Sequence, residues 1–98
     1  MNWPFNIKKL TKDSFVIEDH ILFELWEKGG FAMEFIEVLD VKKEVGRYNK
    51  GCFYALVYCD SSKQYTLIYE SDLFGQKWDS PIFKDEGEAK GEFARVTA

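Results

Sequence analysis

The clearest pattern of apolar and polar positions runs from Cys52 to Ser71. An uncharged run, CFYALVYC, is followed by Asp-Ser-Ser-Lys and then by QYTLIYES. Aromatic and β-branched residues dominate both runs, and the residues between them are turn formers. This predicts two strands joined as an antiparallel hairpin. Counted out from the turn, Cys59 faces Gln64. One side of the hairpin then carries Tyr58 opposite Tyr65, Leu56 opposite Leu67 and Tyr54 opposite Tyr69. The other carries Val57 opposite Thr66, Ala55 opposite Ile68 and Phe53 opposite Glu70. Each such cross-strand pair contributes about 0.2–1 kcal/mol.

Upstream, HILFELWEKGGFAMEFIEVLD centres on Gly29-Gly30. Paired glycines between apolar runs predict a second hairpin, because its tight turn needs positive φ. A loop over Lys28, Gly29 and Gly30 sets Phe23 opposite Phe35 and Leu25 opposite Met33, but it also sets Glu24 against Glu34. A two-residue loop removes that like-charge clash and scatters the apolar pairs. Residues 31–45 also admit a helix: Phe31, Phe35, Val38, Leu39 and Val45 fall near a helical stripe that Gly46 would close. Phe15, Val16 and Ile17 belong to the core in either case.

Residues 45–51, VGRYNKG, and residues 72–80 read as loops. Ser80-Pro81 predicts an N-cap followed by proline at the first helical position. Beyond it Ala89, Phe93 and Val96 recur at helical spacing, with acids leading and Arg95 near the end, as the helix dipole favours. Gly87 and Gly91 each weaken that helix by about 1 kcal/mol relative to alanine, so it must dock to persist. The expected fold is α+β: an antiparallel β-meander of four to five strands with a C-terminal helix packed on one face, in a single domain over residues 1–98.

Composition supports a packed core. Of 98 residues, 46% are hydrophobic and 17% aromatic, which needs no disulfide or metal as a staple. No apolar run reaches the roughly 20 residues of a membrane span, and MNWPFNIKKL has no apolar stretch of signal-peptide length. The expectation is a cytoplasmic protein that is not held in a membrane. A net charge of −4 weighs against direct binding to nucleic acid. The acidity is local: residues 18–40 hold seven carboxylates against Lys28 alone.

Catalytic chemistry finds little to build on. Cys52 and Cys59, on one strand, lie about 23 Å apart and on opposite faces, beyond the roughly 7 Å that a disulfide spans. With His20 the only histidine and no C-x-x-C, neither a metal site nor a cofactor is expected. A Cys–His nucleophile would need His20 to meet one of the thiols in space. The carboxylate pairs Glu24/Glu27, Glu34/Glu37 and Glu86/Glu88 read as solvated faces. The glycine-rich phosphate loops are absent. No catalytic residue is assigned, and an enzyme is the less favoured class.

Two surfaces carry the functional reading. Tyr54, Tyr58, Tyr65 and Tyr69 form an aromatic face that, with Trp78 from the following loop, suits a protein partner. The competing reading packs that face beneath the C-terminal helix. Glu24, Glu27, Glu34 and Glu37 form an acidic patch that would steer a basic partner; alternatively they serve solubility and edge protection. Trp26 is expected in or beside the core, and Trp3, next to Pro4, would pin the N-terminal arm. The resulting expectation is a small non-catalytic interaction protein, of inhibitor or immunity type, that binds a basic protein partner through this acidic and aromatic surface. The alternative is a small-ligand-binding domain or minor enzyme with a pocket between the tyrosine face and the C-terminal helix. A homodimer through an unprotected sheet edge is the third reading.

Overall fold

The computed structural model describes residues 11–12, 15–43, 52–71 and 73–97. Trp3, Gly46 and the predicted loop 45–51 lie outside the described residues. In chain order the elements are β1 (Thr11–Lys12), β2 (Phe15–Val16), α1 (Asp19–Gly29), a 3-10 turn (Met33–Phe35), β3 (Ile36–Lys43), β4 (Phe53–Cys59), β5 (Gln64–Ser71), β6 (Gly75–Lys77) and α2 (Glu86–Val96). The last four strands form one antiparallel meander in the order β3-β4-β5-β6, while β1 and β2 pair as a separate short ribbon. With α2 packed on the sheet, the architecture is α+β.

The central hairpin has the register its sequence predicts: Cys59 pairs with Gln64, Tyr58 with Tyr65, Leu56 with Leu67, Tyr54 with Tyr69 and Phe53 with Glu70. The hairpin predicted at Gly29-Gly30 does not form; that segment ends a helix. Ile21, Leu22 and Leu25 are fully buried on one side of α1. Gly30 adopts the left-handed conformation at φ 70° and caps the helix by donating its N–H to the Leu25 carbonyl. Glycine fits that cap for the same reason it fits a hairpin turn, since both need positive φ. Gly29 has a separate role. A Cβ there would lie 2.8 Å from the Phe31 ring, so its absence lets Phe31 fold back onto the helix end.

Within the predicted segment 31–45, the described residues 31–43 hold a 3-10 turn followed by the strand β3, so the helical alternative falls away. The register against β4 slips between Val38 and Asp40. This bulge puts Ile36, Val38 and Val41 on one face at spacings of two and then three. A strand interrupted in this way mimics a helical stripe, because the extra residue breaks the two-residue period. Two further expectations are corrected. Val16 is 40% exposed, because alternation along the ribbon sends only Phe15 and Ile17 inward. The predicted loop 72–80 doubles back at Leu73–Phe74 and adds the edge strand β6.

Helix α2 begins later than Ser80-Pro81. Residues 81–83 stay extended, and Phe83 exchanges backbone hydrogen bonds with Tyr65 at 2.7 and 2.8 Å. Asp85 is the N-cap, accepting from the Glu88 N–H at 2.9 Å. Ala89 and Phe93 are buried and Val96 half-buried, all packed toward the sheet as their spacing predicts.

Each sheet face has its own core. On the α1 side, Phe15, Ile17, Ile21, Leu22, Leu25 and Phe31 pack with Ile36, Val38, Val41, Ala55, Val57, Cys59 and Ile68. On the α2 side the buried cluster is smaller, with Leu56, Leu67, Ala89 and Phe93 flanked by the partly buried Leu39, Tyr54, Tyr65, Phe83 and Val96. Buried Gln76 ties β6 to the N-terminal ribbon. Its amide donates to the Val16 carbonyl at 2.6 Å and to Glu70 at 2.8 Å, and its oxygen accepts from the Glu18 N–H at 2.8 Å.

Candidate functional site

The four tyrosines share the α2 face in two ladders. Tyr58 and Tyr65 stack with centroids 4.6 Å apart, and Tyr54 and Tyr69 lie 5.1 Å apart. Between the ladders, Leu56 and Leu67 receive Ala89 and Phe93 of α2. The helix therefore covers the middle of the tyrosine face and leaves the rings half-buried along its flanks. The hydroxyls are held: Tyr58 donates to the Asp60 carboxylate at 3.3 Å, and Tyr69 donates to Cys52 Sγ at 3.1 Å. The bond to Cys52, followed by burial, raises the Tyr69 hydroxyl to about 12. Burial, followed by the carboxylate of Glu86, raises that of Tyr65.

Helix α2 packs chiefly along β4 and β5. Its N-terminal end lies beside Tyr65, where the Phe83 bridge anchors it, and Arg95 near its C-terminal end lies close enough to influence Tyr54. Between α2 and β3 a groove of about 890 Å³ remains open. Leu39, Leu56 and Phe93 supply its apolar lining. Its polar lining comes from Glu37, Asp40 and Lys42 on β3, Glu86 and Lys90 on α2, and the rings of Tyr58 and Tyr65. Glu37 pairs in register with Tyr58, so the carboxylate and the aromatic ladder share one end of the groove. Lys90 lies 3.5 Å from Glu86 across one helical turn, with both side chains solvated.

The other predicted site residues divide between the two faces. Trp78 is not beside the tyrosines. It sits on the α1 side, half-buried against Phe31, and donates its indole N–H to Thr66 Oγ1 at 2.7 Å. Glu24 and Glu27 lie on α1, Glu34 is exposed in the 3-10 turn, and Glu37 belongs to the groove on the opposite face. The four acids thus form no single patch. Trp26, expected in or beside the core, is 54% exposed. It stands edge-to-face with Phe23, itself 43% exposed, at 5.9 Å. Both are large aromatics on the solvent side of α1, next to Glu24 and Glu27. Reading this segment as a hairpin hid that pair; a helical reading would have placed Phe23 and Trp26 on one flank at i and i+3.

Both cysteines are buried free thiols. Cys59 Sγ donates to the Ala32 carbonyl at 3.6 Å and lies 3.3 Å from Ser61 Oγ. His20 instead sits between Glu18 and the Gln76 carbonyl, at 3.3 and 3.4 Å. Among the described residues, neither thiol shares a hydrogen bond with His20, and no group of three His, Cys, Asp or Glu side chains is placed to hold a metal ion. No described helix is long and apolar enough to cross a membrane. No family model, curated protein or solved structure matches the chain.

Proposed function

We propose that this protein is a non-catalytic interaction protein that acts in the cytoplasm by holding a basic protein partner, in the manner of an inhibitor or immunity protein. The observation that carries the reading is the Phe23–Trp26 pair, exposed on α1 beside Glu24 and Glu27. Solvent-facing aromatics gain most when a partner covers them, and neighbouring carboxylates select a cationic rim. Compared with the sequence reading, the docking surface moves from the tyrosine face to α1. The test compares the wild-type protein with a Phe23→Ala/Trp26→Ala variant, first in capture from cell extract and then by calorimetry with the purified partner. The reading expects a basic protein, bound more weakly as salt rises and lost in the variant. Binding that ignores both salt and the double substitution would refute it.

A second reading rests on the groove between α2 and β3. A volume of about 890 Å³ is the size of a small-ligand site. Its apolar floor and charged rim suit an extended ligand with a polar head.

A further inference from the structure

If the groove between α2 and β3 is a ligand site, its lining also selects the chemistry of the ligand. Tyr58 is sandwiched on one side only. Tyr65, on β5, stacks against it at 4.6 Å. Toward β3 its neighbour in register is Glu37, a carboxylate and not a second ring. The Tyr58 hydroxyl donates to Asp60 at 3.3 Å.

Charge at this end is one-sided. Glu37, Asp60, Asp85 and Glu86 surround the two rings, against Lys63 and Lys90. Both lysines are already engaged: Lys63 with Asp60 at 2.9 Å and Lys90 with Glu86 at 3.5 Å. Glu37 has no ion-pair partner among the described residues. An electron-rich ring face beside an unpaired carboxylate favours a cation that is planar enough to stack and able to donate hydrogen bonds. The apolar lining by Leu56 and Phe93 favours apolar neighbours on the same chain.

We infer that the α2–β3 groove binds an extended peptide segment by an arginine, whose guanidinium stacks on the Tyr58 ring and pairs with Glu37. Lys90 is the internal competitor. It occupies Glu86, whose carboxylate would otherwise form the second wall of the guanidinium site. An exposed pair of this kind is weak and exchanges readily.

The experiment titrates the full chain with acetyl-Leu-Arg-Leu-amide and with the same peptide carrying citrulline, which keeps the shape and loses the charge. Binding is followed by NMR, including the tyrosine ring resonances. The arginine peptide should shift Tyr58 and Phe93, and citrulline should bind at least about 5-fold more weakly, within the range of a partly desolvated cation–π contact. Glu37→Gln, at an exposed position, should weaken arginine binding similarly without moving the melting temperature. Lys90→Ala should tighten it by about 2-fold, which a purely structural role for that pair would not do. Equal binding of the two peptides at the groove would overturn the guanidinium assignment while leaving the groove as a ligand site. Shifts confined to α1 would overturn it by placing the basic ligand on the Phe23–Trp26 surface. Silence from both peptides would remove the guanidinium assignment and the groove reading together.

Discussion

The two faces of the sheet are built from the same strands but closed differently. On the α1 side the helix meets a face of Ile, Val and Ala, and Phe31 beyond the helix end joins Phe15 and Ile17 from the N-terminal segment in the same buried cluster. On the α2 side a glycine-containing helix buries only Ala89 and Phe93, and tyrosines finish the packing at its flanks. Tyrosine suits such a half-closed layer because its ring packs while its hydroxyl stays in reach of water or a carboxylate. The first face holds the larger buried cluster. The second leaves an open groove between α2 and β3. The sheet is thus divided into a densely packed side and a half-closed side, with the Phe23–Trp26 pair standing outside both cores.

Truncations test that division, and the largest effect belongs to the α1 side. Phe31→Ala should cost about 3–5 kcal/mol, because the ring is fully buried against the helix end and Trp78. Denaturant melts should show the whole domain losing stability together. Phe93→Ala should cost about 3 kcal/mol, at the lower end for an aromatic truncation. Its signature should be regional, with α2 losing helicity while the sheet's near-ultraviolet signal persists. If both variants unfold as single transitions with the same loss, the two faces are equivalent and the comparison fails.

Smaller effects sharpen the picture. Thr66 is fully buried, accepts from Trp78 at 2.7 Å and donates to the Pro81 carbonyl at 3.1 Å. Thr66→Val keeps the shape and strands both partners, so a loss of about 1–3 kcal/mol is expected, with a shift in Trp78 fluorescence. On the α2 side, Tyr69 supplies a pH test. Its hydroxyl is raised to about 12 by the bond to Cys52 and by burial. A raised value means that the folded state favours the neutral phenol. The contribution is present below the ordinary tyrosine value near 10 and is lost as pH rises toward 12. An absorbance titration should find one tyrosine ionising last, and Cys52→Ala should bring it down. An unchanged titration in that variant would mean that the thiol does not hold the hydroxyl.

How much of this was legible in the sequence varied with the length of the interaction. The hairpin of β4 and β5 was readable down to its register, because turn chemistry and a two-residue period agree over a short span. The inward residues of α2 were readable from spacing alone, but its start was not. Ser80-Pro81 satisfies the local rules for a helix start, yet a strand-like pairing between Phe83 and Tyr65 outcompetes them. Gly29-Gly30 misled because positive φ serves both a hairpin turn and a helix cap, and local sequence does not say which. The bulge in β3 blurred the two-residue period, which left a helical alternative standing beside the strand reading. The sequence suggested a pocket between the tyrosine face and the C-terminal helix, but not that a groove would lie between that helix and β3. The groove depends on where α2 comes to rest across β4 and β5, which is set by tertiary packing of Ala89 and Phe93.

Native-state hydrogen exchange, resolved by residue, tests the division of labour most directly. Amides of Leu22, Leu25, Val57 and Ile68 should exchange only through global unfolding. Those of Ala89 to Val96 should exchange through a smaller opening, of lower free energy and weak denaturant dependence, that leaves the α1 side intact. If α2 instead exchanges at the same free energy and with the same denaturant slope as α1, both faces open as one unit. The half-closed α2 side then has no opening of its own.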